Sequence, residues 1–75
     1  MERTVFDYSK LKGRIKEKCG TQKSFAKRIG ITESSMTCKL NCDRYFTQDE
    51  IMRSADILDI SPEHISTYFF AVKVQ

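Results

Sequence analysis

The chain has 75 residues, of which 40% are hydrophobic and 31% are charged, and its formal net charge is +3 at pH 7. A chain of this length buries only about 60% of the surface that its unfolded form exposes, which excludes a dinucleotide-binding fold, a barrel and a deep enzymatic cleft. No apolar run approaches the roughly 20 residues of a membrane helix, and the first residues lack the apolar core of a secretion signal. We therefore expect one soluble, cytoplasmic domain over residues 1–75.

The three cysteines, Cys19, Cys38 and Cys42, cannot all pair within one chain, so we expect reduced thiols. Cys38 and Cys42 have the i,i+4 spacing that would suit a metal on a helix. Zinc sites usually combine two close pairs of ligands, however, and the one histidine, His64, lies far along the chain. We predict no metal site, no cofactor and, because no nucleophile–base motif is present, no enzymatic activity.

Charge is unevenly distributed along the chain. Residues 1–46 carry 11 Lys and Arg against 5 Asp and Glu, a net charge of +6, whereas residues 47–75 carry 2 against 5, a net charge of −3. A basic front half and an acidic back half indicate a polyanionic partner that faces the front. The alternative is a solvated helix surface, since exposed helices often carry this many lysines.

Scarce glycine, a single proline and frequent capping residues predict an all-α domain of five short helices joined by tight turns. The first helix spans about residues 8–19, with Asp7 as its N-cap and Gly20 as a left-handed C-cap. Its buried face repeats at the helical period and comprises Tyr8, Leu11, Ile15 and Cys19.

The second and third helices are predicted to flank a three-residue turn. Thr21 caps the second helix and Thr32 caps the third. Ala26 allows the two helices to approach closely, Gly30 allows the positive φ of the turn, and Ile31 fills the corner. The buried positions of the two helices are Phe25, Ile29, Met36 and Leu40.

Two further helices follow. Residues 47–50, T-Q-D-E, match a capping box, and Ser61 with Pro62 opens the last helix. The inward positions of these helices are Ile51, Ala55, Leu58, Ile65, Tyr68 and Phe69. The alternating pattern of the C-terminal tail predicts a short β-pairing between residues 4–6 and residues 70–74.

The exposed face of the third helix carries hydrogen-bonding side chains and no large apolar ones. It offers Glu33, Ser34, Ser35, Thr37, Cys38 and Lys39. A projecting helix with such a face is suited to the base edges in a DNA major groove. The sequence therefore predicts a helix-turn-helix over residues 22–40 with its recognition helix over residues 33–40.

Residues 22–51 resemble the lambda-type phage repressor and Cro helix-turn-helix family, in particular its small Cro-like regulators. The motifs that carry this resemblance are T-Q-x-x-F-A at 21–26, I-G-I-T at 29–32, K-L-N at 39–41 and F-T-x-x-E-I at 46–51. The resemblance implies a compact five-helix domain that regulates transcription in a phage or prophage. It also implies a repressor that blocks promoters by occupancy of double-stranded operator DNA.

Two positions depart from the family pattern. Lys39 stands where relatives often have an apolar residue, so Leu40 is expected to take the packing role. Cys42 stands where many relatives have glycine, so Asn41 is expected to carry the left-handed conformation.

The resemblance also assigns roles to individual residues. The base-reading positions are Glu33, Ser34, Thr37 and Cys38. The phosphate-contacting positions are Gln22, Lys23, Ser35, Lys39, Asn41 and Arg44. Each has a simpler alternative: Glu33 stabilises the start of its helix, Cys38 fills a half-buried site, and the lysines of residues 10–18 keep the surface soluble.

One such unit covers few base pairs, so we expect a homodimer on an operator with dyad symmetry, with half-sites about 34 Å apart. The expected contact is the segment 66–75, because three adjacent aromatics cannot all face one core. The candidate interface residues are Tyr68, Phe70, Val72 and Val74. The alternative function is an antitoxin-like or other protein-interaction module with the same fold.

Overall fold

A computed structural model describes residues 5–72. Their five helices are α1 (Ser9–Cys19), α2 (Gln22–Ile29), α3 (Glu33–Leu40), α4 (Gln48–Ile57) and α5 (Ile65–Phe69), with a 3₁₀ turn at Pro62–His64 that leads into α5. The predicted five-helix, all-α fold is confirmed. No helix within the described range is long and apolar enough to cross a lipid bilayer.

The two ends of the described chain meet in a minimal β-pairing. Phe6 and Val72 form one isolated antiparallel bridge, and the amide of Asp7 donates to the carbonyl oxygen of Ala71 at 2.6 Å. The predicted pairing of residues 4–6 with residues 70–74 is therefore present as a single bridge. Its outermost residues, 4, 73 and 74, lie outside the described residues.

The helix starts follow the predicted capping chemistry. The hydroxyls of Thr21, Thr32 and Thr47 each accept from the backbone amide three residues on. Thr47 and Glu50 complete the predicted capping box, because the Glu50 carboxylate accepts from the Thr47 amide at 2.9 Å. Two starts differ. Helix α1 begins one residue later than predicted, and Asp7 lies before its N-cap, where it accepts from the amide of Ser9. Ser61, predicted to cap the last helix, precedes the 3₁₀ turn and makes no capping hydrogen bond with its side chain.

The end of α3 differs from the prediction in which residue is left-handed. Gly20 and Gly30 adopt the positive φ of 81° that their turns require. Asn41 ends α3 but keeps a φ of −91°, whereas Cys42 takes the left-handed φ of 63°. The left-handed residue therefore occupies the position where relatives have glycine, and the expectation for Asn41 was wrong. Cys42 is buried there, with its thiol 3.5 Å from the carbonyl oxygen of Phe6.

The core draws on every helix. Its most deeply buried large side chains are Leu11, Phe25, Ile29, Met36, Leu58 and Phe69. Phe46 makes edge-to-face contacts with Tyr8 and Phe69, at centroid distances of 5.7 and 5.5 Å, so the loop before α4 locks α1 to α5. Burial, followed by the neighbouring Cys42 and Tyr45, raises the pKa of the Tyr8 phenol to about 12.

Candidate nucleic-acid interface

The turn between α2 and α3 fixes how the two helices cross. Ala26 is buried at their contact, and its carbonyl oxygen accepts from the Ile31 amide at 3.0 Å. Gly30 reverses the chain in the left-handed conformation. Arg53 of α4 donates to the carbonyl oxygen of Ile29 at 3.2 Å, which satisfies one of the open carbonyls at the end of α2. The α2–α3 unit, residues 22–40, is thus anchored both within itself and to α4.

Helix α3 turns an apolar side inward and a polar side outward. Met36 and Leu40 are buried at 0% and 5% exposure, as predicted. Among the base-reading candidates, Glu33, Ser34 and Thr37 are exposed and Cys38 is half-buried. The structure therefore places all four on or next to the accessible side of one helix, a surface that another molecule can approach.

A hydrogen bond across the unit joins two predicted site residues. The side-chain amide of Gln22, at the start of α2, donates to the hydroxyl of Thr37 on α3 at 3.0 Å. That hydroxyl donates in turn to the carbonyl oxygen of Glu33 at 3.0 Å. Gln22 and Thr37 consequently behave as one fixed pair, a connection that sequence spacing does not reveal.

Ser35, predicted to contact phosphate, takes part in the helix cap. Its amide donates to the hydroxyl of Thr32, and its own hydroxyl accepts from that hydroxyl, both at 3.0 Å. The side chain is half-buried. These two hydrogen bonds hold the first turn of α3.

The phosphate contact predicted for Lys39 does not fit its position. Lys39 is only 7% exposed, and its ammonium donates to the Glu50 carboxylate at 2.8 Å and to the carbonyl oxygen of Tyr45 at 3.1 Å. The same ammonium lies 5.9 Å from the centre of the Phe46 ring. Because its charge is neutralised and buried, Lys39 ties the end of α3 to the start of α4 and leaves no free cation for a phosphate.

Glu50 serves two partners at once. One carboxylate oxygen, Oε1, accepts from the Thr47 amide and from the Lys39 ammonium. Burial by itself raises the pKa of this carboxyl, but the hydrogen bonds from Lys39 and Thr47 outweigh burial, and the pKa lies below its ordinary value. The sequence signal for this pair was present in two pieces: a lysine at an apolar position of the family pattern and a capping-box glutamate after it.

The remaining phosphate candidates lie at the surface. Lys23 in the first turn of α2, Asn41 at the end of α3 and Arg44 in the following loop are all exposed, whereas Gln22 is half-buried. Neither Lys23 nor Arg44, the two remaining cations of the predicted set, has an acidic partner among residues 5–72.

The candidate dimer surface is partly apolar. Tyr68 is half-buried against the core, whereas Phe70 and Val72 are 50% and 60% exposed. Phe6 contacts the rings of Tyr45 and Phe70 edge to face, at 5.8 and 6.2 Å between centroids. Val74, the fourth residue predicted for this interface, lies outside the described residues.

Cys19, Cys38 and Cys42 are free thiols. Across residues 5–72, no three His, Cys, Asp or Glu side chains come together in a way that could hold a metal ion.

Fold and surface together define a small helical domain whose third helix turns a polar side outward and whose first two helices are basic. The chain belongs to the family described as "Protein of unknown function (DUF739)", whose model matches residues 4–72. It is similar to a solved protein, the modulator of repression (MOR) of the temperate bacteriophage TP901-1 from Lactococcus lactis. The two are 43% identical over 93% of this chain and 95% of that one, with a TM-score of 0.79. No curated protein matches the chain.

The similarity to the phage protein extends over nearly the whole length of both chains. At 43% identity, it supports a phage regulatory role as well as a shared fold. Membership of the lambda repressor and Cro family, inferred above from the motifs, stays a prediction.

Proposed function

We propose that this protein is a small phage or prophage regulator of transcription that binds double-stranded DNA through the outer side of α3. The observation that carries the proposal is the exposure of Glu33, Ser34 and Thr37 on a helix that Met36 and Leu40 anchor to the core. The similar protein of phage TP901-1 is a modulator of repression, which supports a role in a phage regulatory circuit.

The proposed contacts with bases follow from the chemistry of the exposed side chains. The carboxylate of Glu33 suits the exocyclic amino group of cytosine, and the methyl group of Thr37 suits the methyl group of thymine. Ser34 can donate or accept, and Cys38 lies at the edge of the contact. Because Gln22 holds the Thr37 hydroxyl, the methyl group of Thr37 is the part of that side chain free to turn outward.

The proposed contacts with phosphates come from both ends of the α2–α3 unit. Gln22 and Lys23 lie in the first turn of α2, where open backbone amides favour an anion. Asn41 and Arg44 lie beyond the last turn of α3. Phosphate contacts beside α3 would fix its depth and angle in the groove, which is what positions the base-reading side chains.

The proposed complex is a homodimer that occupies an operator with dyad symmetry and thereby blocks a promoter. Exposed apolar side chains next to the terminal β-bridge, Phe70 and Val72, supply the candidate contact between protomers. Two units related by a two-fold axis read half-sites about 34 Å apart on one side of the duplex.

Selection of bound sequences from random duplex DNA tests the proposal directly. We expect a dyad-symmetric consensus, and we expect Glu33→Gln to relax the preference at one base pair of each half-site because an amide also donates. Lys10→Gln, on another helix, is the matched control and should leave the consensus unchanged. Failure of the wild-type protein to enrich any sequence, or to bind any duplex at low salt, would overturn the proposal.

A further inference from the structure

The cations of α1 are divided between its two flanks. Leu11 and Ile15 form the buried stripe. At 100° per residue, Lys12 and Lys16 fall on one side of this stripe, and the other side carries Lys10, Arg14 and Lys18. These two flanks have different neighbours.

The flank with Arg14 faces the far end of the molecule. Arg14 donates to the carbonyl oxygens of Leu58 and Asp59, at 2.8 and 3.0 Å. Lys10, one turn before it, borders a surface depression together with Ser66 and Phe70. This side of α1 therefore packs towards α4, α5 and the acidic back half of the chain.

The flank with Lys12 and Lys16 borders the candidate interface. Both lysines line a surface depression of about 210 Å³ whose other walls include Gln22, at the start of α2, and Leu40, at the end of α3. Lys12 also borders the adjoining depression with Asn41. Both lysines are exposed, and neither has an acidic partner within residues 5–72.

Helix α3 itself supplies no free positive charge to the candidate interface. Helix α3 brings the acidic Glu33, and the one cation on α3, Lys39, is neutralised by Glu50. Duplex DNA carries one negative charge per about 1.7 Å of axis, so a stable complex needs several free cations close to the groove. Lys23 and Arg44 are two, and Lys12 and Lys16 stand beside Gln22 and Asn41, where further phosphates would lie.

We infer that Lys12 and Lys16 of α1 form a binding site for backbone phosphates, next to those that Gln22 and Asn41 contact. The two lysines lie one helical turn apart, about 6 Å along the axis, so they can reach successive phosphates of one strand. They carry no sequence information but add affinity and fix the protein on the duplex. This inference rests on the proposed function, because it extends the DNA contact from α2 and α3 to a third helix.

The test compares two double variants that remove equal charge from the same helix. Lys12→Gln with Lys16→Gln neutralises the flank beside the interface, and Lys10→Gln with Lys18→Gln neutralises the opposite flank. All four side chains are exposed, so both variants should fold, and circular dichroism melts check this. The measurement is the dissociation constant for the selected duplex over a series of salt concentrations.

We expect the first double variant to weaken binding equally for every duplex and to reduce the log–log salt slope of the dimer by about 4, because two phosphate contacts are lost in each of the two half-sites. The second double variant should retain the wild-type slope. Ethylation interference should show two phosphates in each half-site that matter to the wild type and no longer matter to the first variant.

Each failure has a distinct signature. Equal losses in both double variants would show a general charge effect and overturn the site. An unchanged slope in the first variant, with tight binding by the wild type, would overturn the site and leave the proposed function standing. If the wild type binds no duplex at all, the proposed function fails, and the phosphate site fails with it.

Discussion

The α2–α3 unit and the segment that follows it, residues 41–50, are held in place by different physics. Within the unit, the threonine caps, the left-handed Gly30 and two buried apolar pairs all act between residues close in sequence. In the following segment, the ion pair of Lys39 with Glu50 and the contact of the Cys42 thiol with the Phe6 carbonyl oxygen act between parts of the chain that only folding brings together.

The two regions differ in whether a residue's partner is fixed by its position in the sequence or by the tertiary structure. A cap works in the same way wherever its helix lies, because its partner is always three residues on. A lysine has no such fixed partner. An exposed lysine is available to a phosphate, whereas the buried Lys39 donates to the Tyr45 carbonyl oxygen and to the Glu50 carboxylate. Whether a cation is available to a ligand is therefore a property of the tertiary structure.

The largest expected effect comes from the ion pair between Lys39 and Glu50. Glu50→Gln keeps a carbonyl oxygen for the Thr47 amide but leaves the Lys39 charge buried without its counter-ion. We expect a loss of about 3 kcal/mol in the free energy of unfolding, measured by urea denaturation, because breaking a buried pair strands the remaining charge.

Asp49→Asn is the matched control for that variant. Asp49 is the preceding residue and pairs with Arg53 at 2.7 Å, but both side chains are more than half exposed. Its loss should cost less than about 1 kcal/mol, since water screens an exposed pair. Equal costs for the two variants would contradict the assignment of the Lys39 pair as a buried support.

The same pair predicts how stability depends on pH. The pKa of Glu50 is lower in the folded state than its ordinary value of 4.5, so the unfolded chain binds more protons between the two values. The contribution of Glu50 is fully present above the ordinary value and is lost as the pH falls through the folded one. We expect wild-type stability to fall more steeply than that of Glu50→Gln as the pH falls below the ordinary pKa value of 4.5.

A parallel decline in the two proteins would show that other carboxyl groups govern the acid response. The measurement is a set of urea titrations at fixed salt, because salt screens the exposed pair of Asp49 more than the buried pair of Glu50.

Most of the fold could be predicted from local patterns. The caps at Thr21, Thr32 and Thr47 and the buried apolar positions of α2, α3 and α4 are where the sequence analysis placed them. These features repeat with the period of the helix or with the fixed spacing of a cap, so one chain is enough to find them.

The rest depended on long-range contacts. The pairing of Lys39 with Glu50, the bond from Gln22 to Thr37 and the two bonds of Arg14 span 11, 15 and more than 40 positions. Exposure of Glu33, Ser34 and Thr37 followed from the periodicity, but the loss of Lys39 from the candidate site did not. For the same reason, the position of Lys12 and Lys16 beside Gln22 became visible only in three dimensions.

The smallest expected effect comes from the Thr32 cap of α3, which is a contact between residues close in sequence. Thr32→Ala removes the hydroxyl that accepts from the Ser35 amide, and we expect a loss of about 1 kcal/mol in the free energy of unfolding. Ser34→Ala is the control, since it removes a hydroxyl from the exposed side of the same helix without removing a cap, and should change stability by less than about 0.5 kcal/mol. If the two variants lose the same amount, the start of α3 is held by its tertiary contacts, and the contrast drawn between the two segments disappears.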